Sequence, residues 1–435
     1  MTAEVVLMNK QAVALAADSA GTVGEKISNS NNKLFTLSKW QPIGIMVYDS
    51  AEIMGYPWET IIKMYRRHLG KKKFGKLHGY VGDFLNYLRK FKFDAQTEKL
   101  YIESVIEKIV MIIYEEMSEQ FPEPRETSKP LLIKYFEKVI SEIKKYLKDN
   151  TSEQELIICS FSDSDKKNIL AKYKKKSIDL ISEHLKEYRI DNQKVYNSIY
   201  PIIKNCIFNG SIFEKSGLVF SGFGVSEIFP ATEKFVVYSV INSEIMMNKP
   251  LYREVNLENS AVIMPFAQRE MVNTFVEGID PFLFDEIKAQ VYNMLKEFTV
   301  VQKSFKKNKT LLKNALDKSS NKFYQSFLDD MHKYIRIKHE LPIIDGVSNL
   351  SPSELASMAE TLISLTSFKR KISANYTETV GGPVDVAVIT KGDGFIWIKR
   401  KLYFDANINR YFFSNYLNED EENKKRISFN KEKNP

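Results

Sequence analysis

Cysteine is scarce in this sequence, with two residues, Cys159 and Cys206, among 435. Their separation matches neither a zinc-ligand spacing nor a disulfide framework, and so few cysteines are typical of a reducing compartment. Histidine is also sparse. The five histidines are scattered along the sequence and form no local pair. The sequence therefore predicts no structural disulfide and no zinc site built from neighbouring side chains.

Long apolar runs are missing as well. No uninterrupted stretch approaches the roughly 20 residues that a helix needs to cross a bilayer. The opening residues, Met1-Thr2-Ala3-Glu4, lack the basic region and the apolar core of a secretory signal peptide. We therefore expect a cytoplasmic protein that has no membrane partner.

Charge of one sign does not dominate, since 63 Lys and Arg residues stand against 55 Asp and Glu residues. The lysines cluster at 71–73, 144–145, 172–176 and 303–309, and most of these clusters lie among acidic residues. This mixture favours a solvated helical surface over a basic stripe that binds nucleic acid. Nucleic acid is therefore the less favoured partner.

The N-terminal part of the chain has strand signals followed by a helix. Apolar runs at 4–8 and 12–17 predict two strands, and 34–37 with 43–48 predict a second pair. Pro57 stands where a helix begins, and apolar residues then recur at helical spacing over 58–69.

The middle of the chain is mostly helical in character. Residues 70–215 show helical periodicity, strand signals return at 217–220, 235–241 and 261–266, and helical pattern resumes over 267–339.

The C-terminal part begins with a clear helix start. Ser351, Pro352 and Glu354 form the pattern of a capping box ahead of an apolar face. Two alternating runs, 384–390 and 395–398, flank a glycine-bearing turn and predict a hairpin. These patterns divide the chain into six parts: an N-terminal core part (1–69), a helical insertion (70–215), core strands (216–266), a second helical segment (267–349), a core helix with hairpin (350–416) and a charged tail (417–435).

Several short motifs at the two ends carry a family resemblance. Thr2 is followed by the strand end VALAADS at 13–19, Lys33 begins the next strand, and Val380-Gly381-Gly382 opens the hairpin. This arrangement resembles proteasome β-subunits and the bacterial HslV peptidase, which are Ntn-hydrolases. A weaker match lies at 221–224. The resemblance implies an α+β fold, a four-layer αββα sandwich that long, mostly helical insertions interrupt.

The resemblance also implies a chemistry. Thr2 would be the nucleophile once Met1 is removed, and its freed α-amine, with a reference pKa of about 7.7–8.0, would be the base. Lys33 would lower the proton affinity of both groups, and Asp18 would hold Lys33 in place. The backbone of Asp49 would donate to the developing oxyanion. An acyl-threonine intermediate on a peptide or amide substrate needs no metal or organic cofactor.

Gly381 belongs to the matched hairpin motif and would support the site, and Thr379, Glu378 or Ser221 would substitute for family residues that are missing here. The resemblance also implies a homo-oligomer. Taken singly, Asp18 is a common strand-end turn residue and Lys33 an ordinary surface lysine.

Three positions depart from the family pattern. Asp49 stands at a glycine position, Val380 at a serine position and Thr377 at an aspartate position, and the interval from Asp18 to Lys33 is one residue short. These departures support an alternative: a catalytically inactive scaffold whose helical insertions bind a protein or nucleic-acid partner.

Overall fold

The computed structural model describes residues 2–23, 26–94, 96–150, 157–209, 215–304, 309–373, 380–402, 404–405 and 407–409. Within them the chain is a mixed α+β protein with antiparallel sheets. The proposed tail, 417–435, lies outside the described residues.

The strands in chain order are β1 (Ala3–Asn9), β2 (Ala12–Ala17), β3 (Gly21–Val23), β4 (Lys26–Ser28), β5 (Leu34–Thr36), β6 (Ile43–Asp49), β7 (Glu52–Ile53), β8 (Tyr56–Pro57), β9 (Ile157–Ile158), β10 (Ser216–Gly222), β11 (Ala231–Ile241), β12 (Glu244–Asn248), β13 (Leu251–Glu254), β14 (Ala261–Ala267), β15 (Asp385–Thr390) and β16 (Gly394–Lys399).

The helices are α1 (Trp58–Leu69), α2 (Leu77–Arg89), α3 (Thr97–Gln120), α4 (Lys129–Asn150), α5 (Asp163–Ala171), α6 (Lys174–Leu185), α7 (Asn192–Phe208), α8 (Glu270–Glu277), α9 (Pro281–Ser304), α10 (Lys309–Ile335), α11 (Leu341–Ser348) and α12 (Pro352–Ile372). A 3₁₀ turn covers Lys186–Tyr188 and a π-helical turn covers Arg336–Glu340.

Two antiparallel sheets organise the strands. The first sheet has the order β14-β1-β2-β15-β16, so that strands from the two ends of the chain are neighbours. The second sheet has the order β5-β6-β10-β11-β12-β9, and β13 also pairs with β11. Two short hairpins, β3-β4 and β7-β8, stand apart from these sheets.

The side chains between the two sheets form one apolar cluster. Val6 and Leu15 of the first sheet pack there with Met46 and Val219 of the second. Successive strand residues point to opposite faces, so the intervening residues of β1 and β2 face the other way. There Leu7 and its neighbours pack against α12. Because both faces are covered, every residue of β1 is buried.

The second sheet also has helices on its far side. Ile45 and Val47 of β6 pack with Trp58 of α1 and Phe84 of α2. Helices α3 to α7 form a separate core that includes Ile106 and reaches the second sheet through residues of β11 and β12.

Several predicted elements are confirmed. The predicted strands at 4–8, 12–17 and 43–48 are β1, β2 and β6, and the helix at 58–69 is α1. Ser351 caps α12 in a complete capping box with Glu354. The helical pattern over 267–339 is interrupted at Gly278, where a φ of 72° ends α8. Over the described part of the chain, no helix combines the length and apolarity required to span a membrane.

Candidate functional site

Thr2 lies at the end of the first sheet. It directly precedes β1 and its exposed fraction is 3%. Its carbonyl accepts a hydrogen bond from the Gln268 amide at 3.1 Å, which continues the pairing of β1 with β14. The neighbouring strand on the other side is β2, whose end carries Asp18. Met1, whose removal the predicted chemistry requires, lies outside the described residues.

The Asp18 carboxylate accepts four N–H donors from separate parts of the chain. Its Oδ1 accepts from the Ala3 amide at 3.0 Å and from Lys33 Nζ at 2.6 Å. Its Oδ2 accepts from the Gly381 amide at 3.0 Å and from the Ala20 amide at 3.3 Å. With this many donors, the carboxylate is held in one orientation beside the start of β1.

The Lys33 ammonium is buried together with its partner. The side chains of Lys33 and Asp18 are 8% and 0% exposed. Lys33 also anchors the edge of the second sheet, because its carbonyl accepts from the Val47 amide at 2.9 Å. The pair therefore joins the two sheets next to Thr2.

Gly381 and its neighbours close the site from the C-terminal side. The Gly381 carbonyl accepts from the Ser19 amide at 3.1 Å, and the Ser19 hydroxyl donates to the Pro383 carbonyl. Gly382 has a φ of 73°, and a Cβ there would lie 3.0 Å from Asn29. Both facts favour glycine at this position. Thr377 and Thr379 lie outside the described residues.

Asp49 is the last residue of β6 and has a φ of 65°, a left-handed conformation that glycine adopts without strain. The preceding residue, Tyr48, is buried and stacks on Phe266 with ring centroids 5.7 Å apart. Burial, and then the nearby Asp49 carboxylate, raise the pKa of Tyr48. Asp49 thus follows a rigid aromatic contact between the sheets.

Ser221 lies away from this group. Its buried hydroxyl is 2.7 Å from the Thr232 hydroxyl, and its strand position is opposite Gly44. The Lys33 carbonyl binds β6 at Val47, which is three residues, or about 10 Å, along the strand from Gly44. Ser221 is therefore separated from Lys33 along the second sheet.

Glu4 is a site residue that the sequence interpretation missed. It is 1% exposed, and neither carboxylate oxygen has a hydrogen-bond partner among the described residues. Burial raises the pKa of Glu4 well above its ordinary value, against the effect of Lys33 and with smaller contributions from Asp18 and Asp49. The available signal was an acidic residue within an apolar run, at a position that alternation places with Val6.

A second missed group lies behind Thr2. Arg370, in the last turn of α12, donates to Glu270 Oε1 at 2.5 Å and to the Gln268 side chain. The backbone N–H of Gln268 donates to the Thr2 carbonyl, so the Arg370–Glu270 ion pair lies close to the start of β1.

The arrangement places a buried ammonium and a buried carboxylate beside a threonine at the start of a strand. An ammonium in this position favours the deprotonated form of a neighbouring hydroxyl or amine. Among the described residues, no cluster of three or more His, Cys, Asp or Glu side chains could hold a metal ion. An open cavity of about 480 Å³, lined by Glu277, Phe284 and His332 among others, contains none of the site residues.

Comparison with solved structures finds proteins titled Anbu. Anbu from Hyphomicrobium sp. strain MC1 has a TM-score of 0.29 and 10% identity, with 99% of this chain and 97% of that chain covered. Anbu (ancestral beta-subunit) from Yersinia bercovieri has a TM-score of 0.28 and 8% identity, covering 98% and 96%. The helical assembly of the Anbu complex from Pseudomonas aeruginosa has a TM-score of 0.29 and 10% identity, covering 97% and 96%. No protein-family model and no curated protein matches the sequence.

The identification of the chain as a divergent relative of proteasome β-subunits and HslV was wrong. The solved structures that it matches include Anbu proteins from three organisms instead. The resemblance depended on short motifs, which describe a local site better than a family, and it already departed from that family at Asp49, Thr377 and Val380.

Proposed function

We propose that this chain is an N-terminal-threonine hydrolase that cleaves a peptide or amide bond. The observation that supports it most is the buried Lys33–Asp18 pair, with 2.6 Å between Nζ and Oδ1, next to Thr2, which directly precedes β1. A buried ion pair contributes little net stability compared with apolar residues of the same size. Its position next to Thr2 favours a chemical role.

Before the first reaction, Met1 is removed, which leaves a free α-amine on Thr2. That amine, with a reference pKa of about 7.7–8.0, accepts the proton of the Thr2 hydroxyl. The hydroxyl oxygen attacks the substrate carbonyl carbon, and the amine passes the proton to the leaving nitrogen as the C–N bond breaks. Water, deprotonated by the same amine, then hydrolyses the acyl-threonine ester and restores the site.

Lys33 and Asp18 tune this chemistry. The Lys33 ammonium lowers the proton affinity of the hydroxyl and of the amine, and Asp18 keeps the ammonium in place. Asp18 also accepts from the Ala3 amide, so the same carboxylate positions the backbone that carries the nucleophile.

The remaining site residues have supporting roles in this proposal. The backbone N–H of Asp49 donates to the developing oxyanion. Gly381 orients Asp18 through its amide. Ser221 supports the second sheet through Thr232. Thr379 is given a supporting role because it directly precedes Val380 in the sequence.

We also propose that the two sheets and the helices outside them form the four-layer αββα sandwich of an Ntn-hydrolase. The apolar clusters on both sides of each sheet support this arrangement. In this proposal 70–215 and 267–349 are helical insertions, while 1–69, 216–266 and 350–416 build the core. The protein acts as a homo-oligomer.

The first experiment determines the mature N-terminus and its reactivity. Intact-mass analysis should show loss of Met1, and a threonine-directed electrophile should then add one label per chain. Thr2→Ala should abolish labelling, whereas Thr361→Ala, which replaces an exposed threonine of α12, should leave it unchanged. A chain that keeps Met1, or equal labelling of wild type and Thr2→Ala, would refute the proposal.

A second candidate is an inactive scaffold that binds a protein or nucleic acid through its helices. Aromatic side chains on α9 and α10 favour it, because Phe282, Phe298 and Phe323 are 66%, 59% and 61% exposed. Retention of Met1 together with binding that survives Thr2→Ala would support the scaffold. Binding to DNA or RNA that weakens steeply with salt would identify nucleic acid as the partner.

A further inference from the structure

Glu4 is a buried carboxyl group that the mechanism above does not use. It pairs in register with Ala17 of β2 and Phe266 of β14, in the middle of three adjacent strands. Alternation along β1 puts its side chain on the same face as Thr2 and Val6, between the two sheets. A polar group that is buried without a hydrogen-bond partner is costly, so its retention here calls for a physical explanation.

The charged and titratable groups around Glu4 come from several elements. Lys33, Asp18 and Asp49 each act on its carboxyl group electrostatically, and of these only Lys33 favours the ionised form. Tyr48 and Arg269 belong to the same electrostatic neighbourhood. In the surrounding strands, Asp385 binds Lys401, and Lys234 Nζ lies 5.9 Å from the Phe266 ring centroid.

We propose that Glu4 is neutral in the working site, and that its ionisation as pH rises switches the site off. While it is protonated, Glu4 leaves the Lys33 ammonium to Asp18. Once ionised, it adds a second carboxylate within the electrostatic reach of the same ammonium. This carboxylate competes with Asp18 for Lys33 and opposes the effect of Lys33 on Thr2.

The sign of the pH dependence follows from burial. An ordinary glutamate has a pKa of about 4.3, and burial raises the pKa of Glu4 well above its ordinary value. Between these two pKa values the folded protein holds one proton more than the unfolded chain. The folding equilibrium constant therefore falls up to tenfold for each pH unit of increase in that window.

The activity part of this inference rests on the proposed function, but the protonation part does not. Infrared spectroscopy separates the two, because a protonated carboxylic acid has a C=O stretching band distinct from that of a carboxylate. In wild type, one such band should titrate well above the ordinary glutamate pKa, and Glu4→Gln should remove it. Burial also raises the pKa of Glu277, so Glu277 contributes equally to both proteins and cancels in the difference. The band should persist in the control Glu233→Gln, which removes a carboxyl as buried as Glu4 but paired with His78.

The second measurement is the pH profile of the rate at which the electrophile labels Thr2. At low pH, Glu4→Gln should label within about twofold of wild type, because both residues are neutral there. At high pH, the wild-type rate should fall about tenfold per pH unit above the pKa of Glu4, while Glu4→Gln keeps its rate. Glu4→Asp, which retains an ionisable group, should restore the fall.

The outcomes are distinguishable. Identical titrating bands in wild type and Glu4→Gln would overturn the neutral state of Glu4, whatever the activity. A Glu4 band together with parallel alkaline limbs in the two proteins would overturn the switch. A Glu4 band without labelling of Thr2 would support the neutral acid but overturn both the switch and the proposed hydrolase.

Discussion

At the scale of single residues, two buried carboxyl groups, those of Asp18 and Glu4, have very different surroundings. Asp18 receives Lys33 Nζ and three backbone amides, whereas Glu4 receives no hydrogen bond from any residue that the structure describes. Burial without hydrogen-bond partners favours the neutral form of a carboxyl group, which raises the pKa of Glu4. In the proposed switch, Asp18 holds Lys33 and Glu4 stays neutral until the pH rises.

Breaking the Lys33–Asp18 pair should be costly. Asp18→Asn leaves a buried ammonium without a charged partner, so we expect the free energy of unfolding to fall by about 3–5 kcal/mol. Urea unfolding measures it. The matched control is Glu142→Gln, which breaks the exposed Lys138–Glu142 pair and should cost less than about 1 kcal/mol. Equal losses for the two variants would show that the Lys33–Asp18 pair is effectively solvated.

Sequence reasoning found part of this group and missed the rest. Asp18, Lys33 and Gly381 were selected from motifs, and the structure brings them into direct hydrogen bonds. Their catalytic roles stay predictions. Glu4 and Arg370 were missed, because an acidic residue in an apolar run and a basic residue in a last helical turn are both ordinary in sequence.

At the scale of elements, α12 links the site to the first sheet. Its apolar face packs on β1, β2 and β15, and its last turn carries Arg370. The small side chains of β2, alternating alanines among them, leave room for the helix to approach closely. The sequence predicted this helix well, since a capping box and an apolar repeat are local signals.

The cap of α12 offers a test at this scale. Ser351→Ala removes the hydroxyl that accepts from the Glu354 amide, and it should lower the free energy of unfolding by about 0.5–2 kcal/mol. Ser357→Ala, an exposed change inside the same helix, should stay within about 0.5 kcal/mol of wild type. Thermal unfolding compares the three proteins. A loss from Ser357→Ala as large as that from Ser351→Ala would argue against the cap.

Short elements were harder to predict than long ones. The strands β12 and β13 escaped the sequence interpretation, although β1, β2 and β6 did not. β13 is half-exposed along its length, so its residues show no strong apolar pattern. Its pairing with β11 is a tertiary event that local preferences do not specify.

At the scale of the whole molecule, the first sheet ends in an exposed strand. The alternate residues Phe395 and Trp397 of β16 turn toward the cluster between the sheets, which leaves Ile396 and Ile398 outside and 44% and 53% exposed. An edge strand with exposed apolar side chains is a natural place for another copy of the chain to bind. This edge supports the proposed homo-oligomer.

The oligomer can be tested at that edge. Light scattering coupled to size exclusion should show a multiple of the 50.4 kDa chain mass, and a variant with Ile396→Ser and Ile398→Ser should shift toward the monomer. Ile228→Ser changes an isoleucine that is 78% exposed elsewhere and should leave the mass unchanged. A monomeric wild type would contradict the proposal directly.

Sequence by itself determined the local features of this protein: the first two strands, helix α1, the capped helix α12 and the closing hairpin. Each follows from periodicity, caps or turn residues within a short window. Tertiary structure alone decided which residues meet. The Gly381 amide donates to Asp18, although the two residues are 363 positions apart in the sequence. Glu4 is shielded from solvent because β1 is covered on both faces. Local preferences carry no information about desolvation or about contacts between distant segments, and those two effects assemble the site and raise the pKa of Glu4.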